Sequence, residues 1–249
     1  MPREDPAAAV MPGVLAAAGM PGRRARRRQE TIDEILGIAV QVMTDEGVGG
    51  LTIAEIARRL GVRPPSIYKY FPSLLGIYDE LFRRGQADHL DALRAAAATA
   101  PPGLATVHAT AEAAGRWAAG NMALAQLLFW RPVPRFTPSA QAFEPSREMF
   151  QLFRGALADA VRTGELGADA ATDTGVDLLS ALIAGVMSQY MANEPGTPWG
   201  TGRFTPLLPR LIDLLRCAYP PATQPARLLA SGLWSLRMRC GYGIRSRAG

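Results

Sequence analysis

The sequence predicts an all-α fold in which a small N-terminal helical domain precedes a larger helical domain. Three observations support this: apolar residues recur at helical spacing, no run alternates convincingly as a β-strand, and charge is unevenly divided along the chain. The 249 residues, 48% of them hydrophobic, allow one domain or two small ones with a sizeable core. We expect residues 1–22 to be a disordered extension and residues 221–249 a disordered basic tail.

The net charge of +5 is concentrated in particular segments. Residues 23–84 contain eleven basic and eight acidic residues, residues 85–220 contain ten and twelve, and residues 221–249 contain five arginines and no acid. This distribution is typical of a polyanion-binding part joined to a part with another role. Two cysteines, Cys217 and Cys240, cannot form a disulfide framework, which favours a reducing cytoplasm.

The N-terminal domain, residues 23–72, is predicted to begin with an amphipathic helix. Apolar residues at helical spacing place this helix at Gln29–Glu46, and Gly47 is expected to supply a left-handed stop. The preceding run, Arg23–Arg28, contains five arginines in six residues. Such a run is either an arm that contacts a polyanion or a solvated face.

Two short helices follow and match the requirements of a helix-turn-helix. The second helix is predicted over Ile53–Leu60, with Thr52 and Glu55 forming a reciprocal capping box. Gly61 occupies the turn, where a positive φ is needed, and a third helix is predicted over residues 64–70. The residues expected to hold the pair together are Ile56, Ala57, Leu60, Val62, Ile67 and Tyr70. An unrelated αα-hairpin is the alternative.

The segment GGLTIAEIARRLGVRPPSIYKYFPS resembles the TetR/AcrR family of transcriptional regulators. The resemblance covers residues 23–84 closely, and the rest of the chain only in length and all-helical pattern. It implies a homodimer, usually a repressor, that binds a palindromic operator and responds to a ligand. Members usually follow Phe-Pro-Ser with a Lys that contacts phosphate, whereas this sequence has Leu74 and Leu75 at the next two positions.

Residues of the third helix are expected to contact DNA. Pro65, Ser66 and Lys69 are candidates for base contacts, because thymine methyl groups suit apolar contact and Lys suits guanine acceptors. The resemblance implies that Tyr68 and Tyr70 donate hydroxyls to phosphates, with a plain core role as the alternative for either tyrosine. The arginine arm would lie along the DNA backbone or enter the minor groove. The predicted DNA-binding residues are Arg26, Arg27, Arg28, Thr52, Arg63, Pro64, Pro65, Ser66, Tyr68, Lys69, Tyr70 and Ser73.

Residues 73–220 are predicted to form a helical domain for effector binding and dimerisation. Periodicity places helices at Ser73–Ala98, Leu104–Gly120, Met122–Trp130, Ala140–Thr163, Ala170–Asn193 and Thr205–Ala218. The fifth of these combines an apolar stripe with a ridge of small residues, which indicates burial on both sides. With the last helix it is expected to form a four-helix dimer interface, as in the family. The predicted interface residues are Ala181, Ala184, Gly185, Ser188, Leu208, Leu211 and Leu215.

Large adaptable side chains gather in this domain and suggest a mostly apolar cavity for a small lipophilic effector. The predicted effector-binding residues are Arg116, Trp117, Met122, Phe129, Trp130, Phe150, Phe153, Met187 and Tyr190. For any single aromatic residue or methionine, a simple core role is the alternative. His89 and His108 have no Asp or Cys at metal-ligand spacing, so we expect helix-surface or satisfied core histidines.

The predicted function is a ligand-responsive, sequence-specific DNA-binding regulator in the cytoplasm, associated with the nucleoid. We expect no cofactor, no metal and no membrane partner. One alternative is an architectural or weakly specific DNA-binding protein without effector control. Another is an enzyme with an appended DNA-binding module, which is disfavoured because the sequence lacks a nucleophile elbow, metal cluster, phosphate loop or convincing carboxylate pair.

Overall fold

The computed structural model describes residues 22–222, a range that contains nine α-helices, three short 3-10 helices and no β-strand. The α-helices are α1 (Arg23–Glu46), α2 (Ile53–Leu60), α3 (Pro64–Ile67), α4 (Leu74–Thr99), α5 (Leu104–Gly120), α6 (Met122–Trp130), α7 (Glu144–Arg162), α8 (Asp173–Asn193) and α9 (Arg210–Ala218). The 3-10 helices are Val48–Gly50, Ala168–Ala171 and Thr205–Leu207. The all-α prediction is confirmed. The predicted extension and basic tail lie, but for their innermost residues, outside the described range.

Helix α1 begins at Arg23, so the predicted arginine arm is the first part of a helix and not an extended segment. Arginine is a good helix former, and Arg26 lies 3.6 Å from the Glu30 carboxylate one turn later. At the other end, Gly47 has φ +81° and ψ 161°, which is a positive φ but not the left-handed helical conformation expected. The N-terminal prediction is therefore corrected at both ends of α1.

The N-terminal domain packs α1, α2 and α3 around a core that includes fully buried Ile35 and Ile56. Thr52 caps α2, because its hydroxyl accepts a hydrogen bond from the Glu55 N–H at 3.1 Å. The Glu55 carboxylate does not complete the capping box, since it accepts bonds from Arg58 and Arg59. These two guanidinium groups hold the pKa of Glu55 at about 2, and Arg59 also bonds acidic side chains at the end of α1.

Helix α4 connects the two domains. Near its start, the buried Tyr78 hydroxyl donates to the Val48 carbonyl at 2.6 Å, and Arg84 bonds Asp33 of α1 at 2.6 Å. Its second half packs against α5 and α7 of the C-terminal domain. One helix of 26 residues therefore belongs to the cores of both domains.

Three helices of the C-terminal domain are shorter than predicted. α7 begins at Glu144, because the Ser139 N–H and hydroxyl both bond the Asp79 carboxylate of α4 and hold the preceding segment in turns. α8 begins at Asp173, after its N-cap Thr172. α9 begins only after Pro209, with a separate 3-10 turn before it.

Helix α8 is long and apolar enough, by length and composition, to cross a membrane, with a mean hydropathy of 1.3. In the structure its apolar stripe faces the core of the C-terminal domain, where Leu179, Ile183 and Tyr190 are buried. This packing accounts for the composition of the helix.

Candidate nucleic-acid interface and ligand cavity

The turn between α2 and α3, together with α3, presents an exposed surface. Gly61 adopts the left-handed conformation with φ +73°, as the turn requires, and Ile67 is buried and anchors α3 to the core. The Tyr68 side chain is 54% exposed, and Ser66 is half-buried. Val62, expected to help hold the helix pair together, lies exposed in the turn. The other exposed residues of this surface are Arg63, Pro64, Pro65 and Lys69.

The third helix is shorter than expected, because its α-helical hydrogen bonding ends at Ile67 and not at Tyr70. The Tyr70 and Phe71 N–H groups both donate to the Ile67 carbonyl, at 2.9 and 3.1 Å. Residues 68–70 therefore continue as tight turns that carry Lys69 outward.

Arg28 braces this segment from α1. Its guanidinium donates to the Lys69 carbonyl at 3.2 Å and lies 5.2 Å from the centre of the Tyr70 ring. Of the predicted arm residues, Arg26 and Arg27 are exposed on the first turns of α1. Arg28 thus positions the Lys69 segment in this structure, a role that the sequence did not predict.

Thr52 and Ser73, both predicted DNA contacts, are N-cap residues. The Ser73 hydroxyl accepts from the Gly76 N–H at 3.1 Å, as Thr52 does from Glu55 at the start of α2. Since each hydroxyl accepts through its oxygen, its own proton is still available to a phosphate.

A cavity of about 500 Å³ lies between α4, α6, α7 and α8. Its wall is mostly apolar, and five of the nine predicted effector-binding residues line it: Phe129, Trp130, Phe150, Phe153 and Met187. Four predicted residues do not line it: Arg116, Trp117, Met122 and Tyr190.

Each of these four side chains points elsewhere for a local reason. Arg116 is exposed and lies 3.5 Å from the Glu112 carboxylate, on the outer face of α5. Trp117 packs behind the wall, where its Nε1–H donates to Asp88 at 2.7 Å. Met122, the first residue of α6, packs half-buried against the core. The Tyr190 hydroxyl donates to the Thr197 carbonyl at 2.9 Å and so holds the loop after α8.

The buried polar residues of the cavity wall are Gln86, His89 and Ser146, and none of them was predicted to bind the effector. Within residues 22–222, the buried side-chain nitrogen and oxygen atoms without a hydrogen-bond partner are Gln86 Oε1, both His89 ring nitrogens and Ser146 Oγ. A sequence signal existed, because Gln86 and His89 stand in the buried stripe of α4 that also contains Phe82 and Leu93.

The expectation that His89 lies on a helix surface, or in the core with hydrogen-bond partners, is wrong. It is 2% exposed, and its ring stacks on Trp117 with centroids 4.7 Å apart. Burial lowers the pKa of His89 to about 4, although the adjacent Asp88 carboxylate acts in the opposite direction. His89 is therefore neutral at pH 7, with one ring nitrogen as a donor and the other as an acceptor.

Comparison with known proteins shows which family this chain resembles. Residues 35–81 match the family model described as bacterial regulatory proteins, tetR family. The chain is also 26% identical over 174 residues to the HTH-type transcriptional repressor BepR of Brucella suis, covering 67% of this chain and 83% of that protein. These similarities support a TetR family regulator, with the family-specific match in residues 35–81. Like its named relatives it is a DNA-binding transcriptional regulator, and those relatives are not enzymes.

Solved structures agree with this TetR-family fold over most of the described chain. The crystal structure of the regulatory protein SCO4313 has a TM-score of 0.62 and 25% identity, covering 76% of this chain and 97% of that chain. The transcriptional regulator FadR from Bacillus subtilis, solved with stearoyl-CoA, has a TM-score of 0.60 at 17% identity. That comparison covers 74% of this chain and 96% of FadR, and it supports the fold alone.

The residues predicted for the dimer interface divide into two groups. Ala181, Ala184 and Gly185 are exposed on α8, and Ser188 is half-buried. The leucines predicted for the same interface, Leu208, Leu211 and Leu215, are buried inside the protomer. They cannot contact a partner, because they pack into the core of their own domain. The exposed leucines of this region are instead Leu207 and Leu214.

The buried histidine makes a prediction about stability. In the unfolded chain His89 has a pKa of about 6.5, so between about pH 6.5 and 4 the unfolded state binds a proton that the native state does not. We expect the free energy of unfolding to fall as the pH falls through this range, by up to about 1.4 kcal/mol per pH unit from this residue. Urea denaturation from pH 7 to pH 5 measures it.

The matched comparison is His89→Phe, which keeps an aromatic ring in the same space. It should remove this part of the pH dependence and leave the contribution of the carboxylates. Equal pH slopes in the two proteins would show that the pKa of His89 is the same in the native and unfolded states.

Proposed function

We propose that this chain is a homodimeric repressor that binds a palindromic operator and is released by a small, largely apolar effector. The observation that carries the proposal is the position of α4. Its first turns are bonded to the DNA-binding domain through Tyr78, and its middle places Gln86 and His89 in the cavity wall. A ligand that moves α4 would therefore change the position of the DNA-contacting surface.

For DNA reading, we assign base contacts to the exposed groups on and after α3. Pro65 offers an apolar surface to thymine methyl groups, and Lys69 and Ser66 offer donors to base acceptors. Tyr68 is suited to a phosphate contact, because its side chain is exposed and ends in a hydroxyl. Arg26 and Arg27 supply positive charge along the same side, and Arg28 supports Lys69. The remaining phosphate contacts would come from Thr52, Arg63, Tyr70 and Ser73, and Pro64 would add apolar surface beside Pro65.

For dimerisation, we propose a four-helix interface made by α8 and α9 of each protomer. The small exposed residues of α8 allow two helices to approach closely, and Leu207 and Leu214 supply exposed apolar area. Helices α8 and α9 of one protomer run antiparallel. Arg203, which precedes α9, donates its N–H to Glu194 just after α8, and Gly167, which precedes α8, donates its N–H to the Tyr219 carbonyl just after α9. A two-fold dimer would place its reading surfaces about 34–36 Å apart, matching successive major grooves.

For release, the effector must bind the arrangement that does not fit DNA more tightly than the arrangement that does. A 100-fold preference shifts the balance by about 2.7 kcal/mol. A ligand in the cavity can favour one arrangement over the other, because α4 and α6 form part of the cavity wall and both pack against α1.

The reading of DNA is tested by selecting bound sequences from random DNA and measuring affinity by fluorescence anisotropy. We expect a palindrome bound at least about 10³-fold more tightly than random DNA.

Lys69→Ala should cost about 1–3 kcal/mol of DNA-binding free energy at one base position and relax the base preference there. The double variant Arg26→Ala/Arg27→Ala should weaken all sequences about equally and flatten the salt dependence.

Arg162→Ala is the control, since it removes a positive charge from the C-terminal domain. Specific and random DNA bound within about tenfold of each other would instead favour an architectural DNA-binding protein.

The dimer interface is tested with Gly185→Arg. A Cβ added at Gly185 has open space within 4 Å among residues 22–222, so we expect the protomer to accommodate the larger side chain while the partner helix cannot approach. Light scattering should give twice the 26.7 kDa chain mass for the unchanged protein and a single chain mass for the variant. Gly155→Arg on α7 is the matched control, because it is a helical glycine with the same open space. Dimers in both variants would exclude this interface.

Effector control is tested by adding a panel of apolar compounds to the protein bound to its selected operator. Compounds that occupy the cavity should release DNA, and Phe153→Ala, which changes the wall without contacting DNA, should alter the concentration needed. Compounds that bind but leave operator affinity unchanged would contradict effector control.

A further inference from the structure

Every buried side chain of residues 22–222 that has an unpaired polar atom belongs to a residue that lines the cavity. Gln86 and His89 are one helical turn apart on α4, and Ser146 is in the first turn of α7, which packs against α4. All three side chains are more than nine-tenths buried. A buried polar group without a partner destabilises a fold, so three such groups on one cavity wall indicate a ligand that bonds to them.

The chemistry of these groups defines the polar end of that ligand. A side-chain amide, a neutral imidazole and a hydroxyl each offer both a donor and an acceptor. A hydroxyl group on the ligand also donates and accepts, so it can satisfy them. The rest of the wall is apolar, with Phe129, Phe153 and other large side chains, and it suits a hydrocarbon or aromatic body.

We propose that the cavity binds an uncharged molecule with an apolar body and a hydroxyl head, and that Gln86, His89 and Ser146 hold this head. This proposal rests on the proposed function in one respect, since it assumes that the cavity is the site where the effector binds. The ligand class is that of an alkylphenol or a similar hydroxylated apolar compound.

The charge of the wall excludes a buried anionic head. Among residues 22–222, Arg131 is the one charged residue that lines the cavity. It is exposed, and its guanidinium lies 5.6 Å from the centre of the Phe143 ring. A carboxylate beside Gln86 and His89 would therefore be buried without a cation. An anionic ligand would have to place its head at the rim near Arg131.

Three probes with one apolar body test this assignment: 4-hexylphenol, hexylbenzene and 4-hexylbenzoate. Binding is measured by titration calorimetry at pH 7 and by the change in intrinsic tryptophan fluorescence, to which Trp130 in the wall contributes. We expect 4-hexylphenol to bind at least about tenfold more tightly than either other probe, because only its head satisfies the polar groups.

Substitutions then locate the head. Gln86→Leu and His89→Phe should each weaken 4-hexylphenol about threefold to tenfold while leaving hexylbenzene unchanged or tighter. Ser180→Ala is the matched control, because this hydroxyl also lines the wall but already donates to the Val176 carbonyl at 2.8 Å. It should leave the phenol-to-hydrocarbon ratio unchanged.

A second measurement needs no ligand. If Gln86 and Ser146 serve ligand recognition, replacing their unpaired polar atoms should stabilise the free protein. Gln86→Leu and Ser146→Ala should each raise Tm by about 2–4 °C. A fall in Tm for both variants would mean that these side chains have a structural role, and it would overturn the proposal.

Two further outcomes would also overturn it. One is equal binding of 4-hexylphenol and hexylbenzene by the unchanged protein. The other is tightest binding of 4-hexylbenzoate, lost in Arg131→Gln, which would place the head at the rim. If 4-hexylphenol binds as expected but does not release operator DNA, the head assignment stands and the proposed effector control fails.

Discussion

The structure depends on α4 being one continuous helix that is buried in both domains. Tyr78 fixes its first part to the Val48 carbonyl, and His89 lies eleven residues later in the cavity wall. At 1.5 Å per residue the two points are about 16 Å apart along the axis. A helix with intact internal hydrogen bonds does not absorb a local displacement easily, so a shift at the cavity changes the orientation of the DNA-binding domain.

A second contact reinforces this coupling. Helix α6 carries Phe129 and Trp130 of the cavity wall, and it also packs against α1. The DNA-binding domain therefore rests on two helices that share one cavity. A ligand that changes the spacing of α4 and α6 would act on both supports at once, which is the differential interaction that a population shift requires.

Local signals predicted the N-terminal domain well, and tertiary contacts explain where prediction failed. Gly61, the Thr52 cap and Pro64 act within a few residues, and they fixed the bounds of α2 and the start of α3. The late start of α7 depends on Asp79, sixty residues away from Ser139. Arg28 likewise bonds a carbonyl forty-one residues away. Neither contact has a sequence signature.

The cavity and the dimer face show a second limit of sequence reasoning. Periodicity finds apolar stripes but does not say which stripe faces the core, so Leu211 was predicted for the interface although Leu214 is the exposed residue. Composition likewise indicated an apolar cavity, and about half of its predicted residues line it. Sequence alone does not show whether a buried polar group has a partner, so Gln86 and Ser146 were missed.

The unpaired polar atoms belong to three residues of the cavity wall, and this clustering indicates that they have a function. Each unpaired group costs about 1–3 kcal/mol, against a total stability of about 5–15 kcal/mol for a typical domain. Defects of packing would be scattered, whereas in residues 22–222 all of them lie on one wall, and two are on the helix that joins the domains. Ligand binding explains this free-energy cost, because the hydroxyl of a bound ligand would supply the missing hydrogen bonds. Two of the groups that it would bond, Gln86 and His89, are on α4.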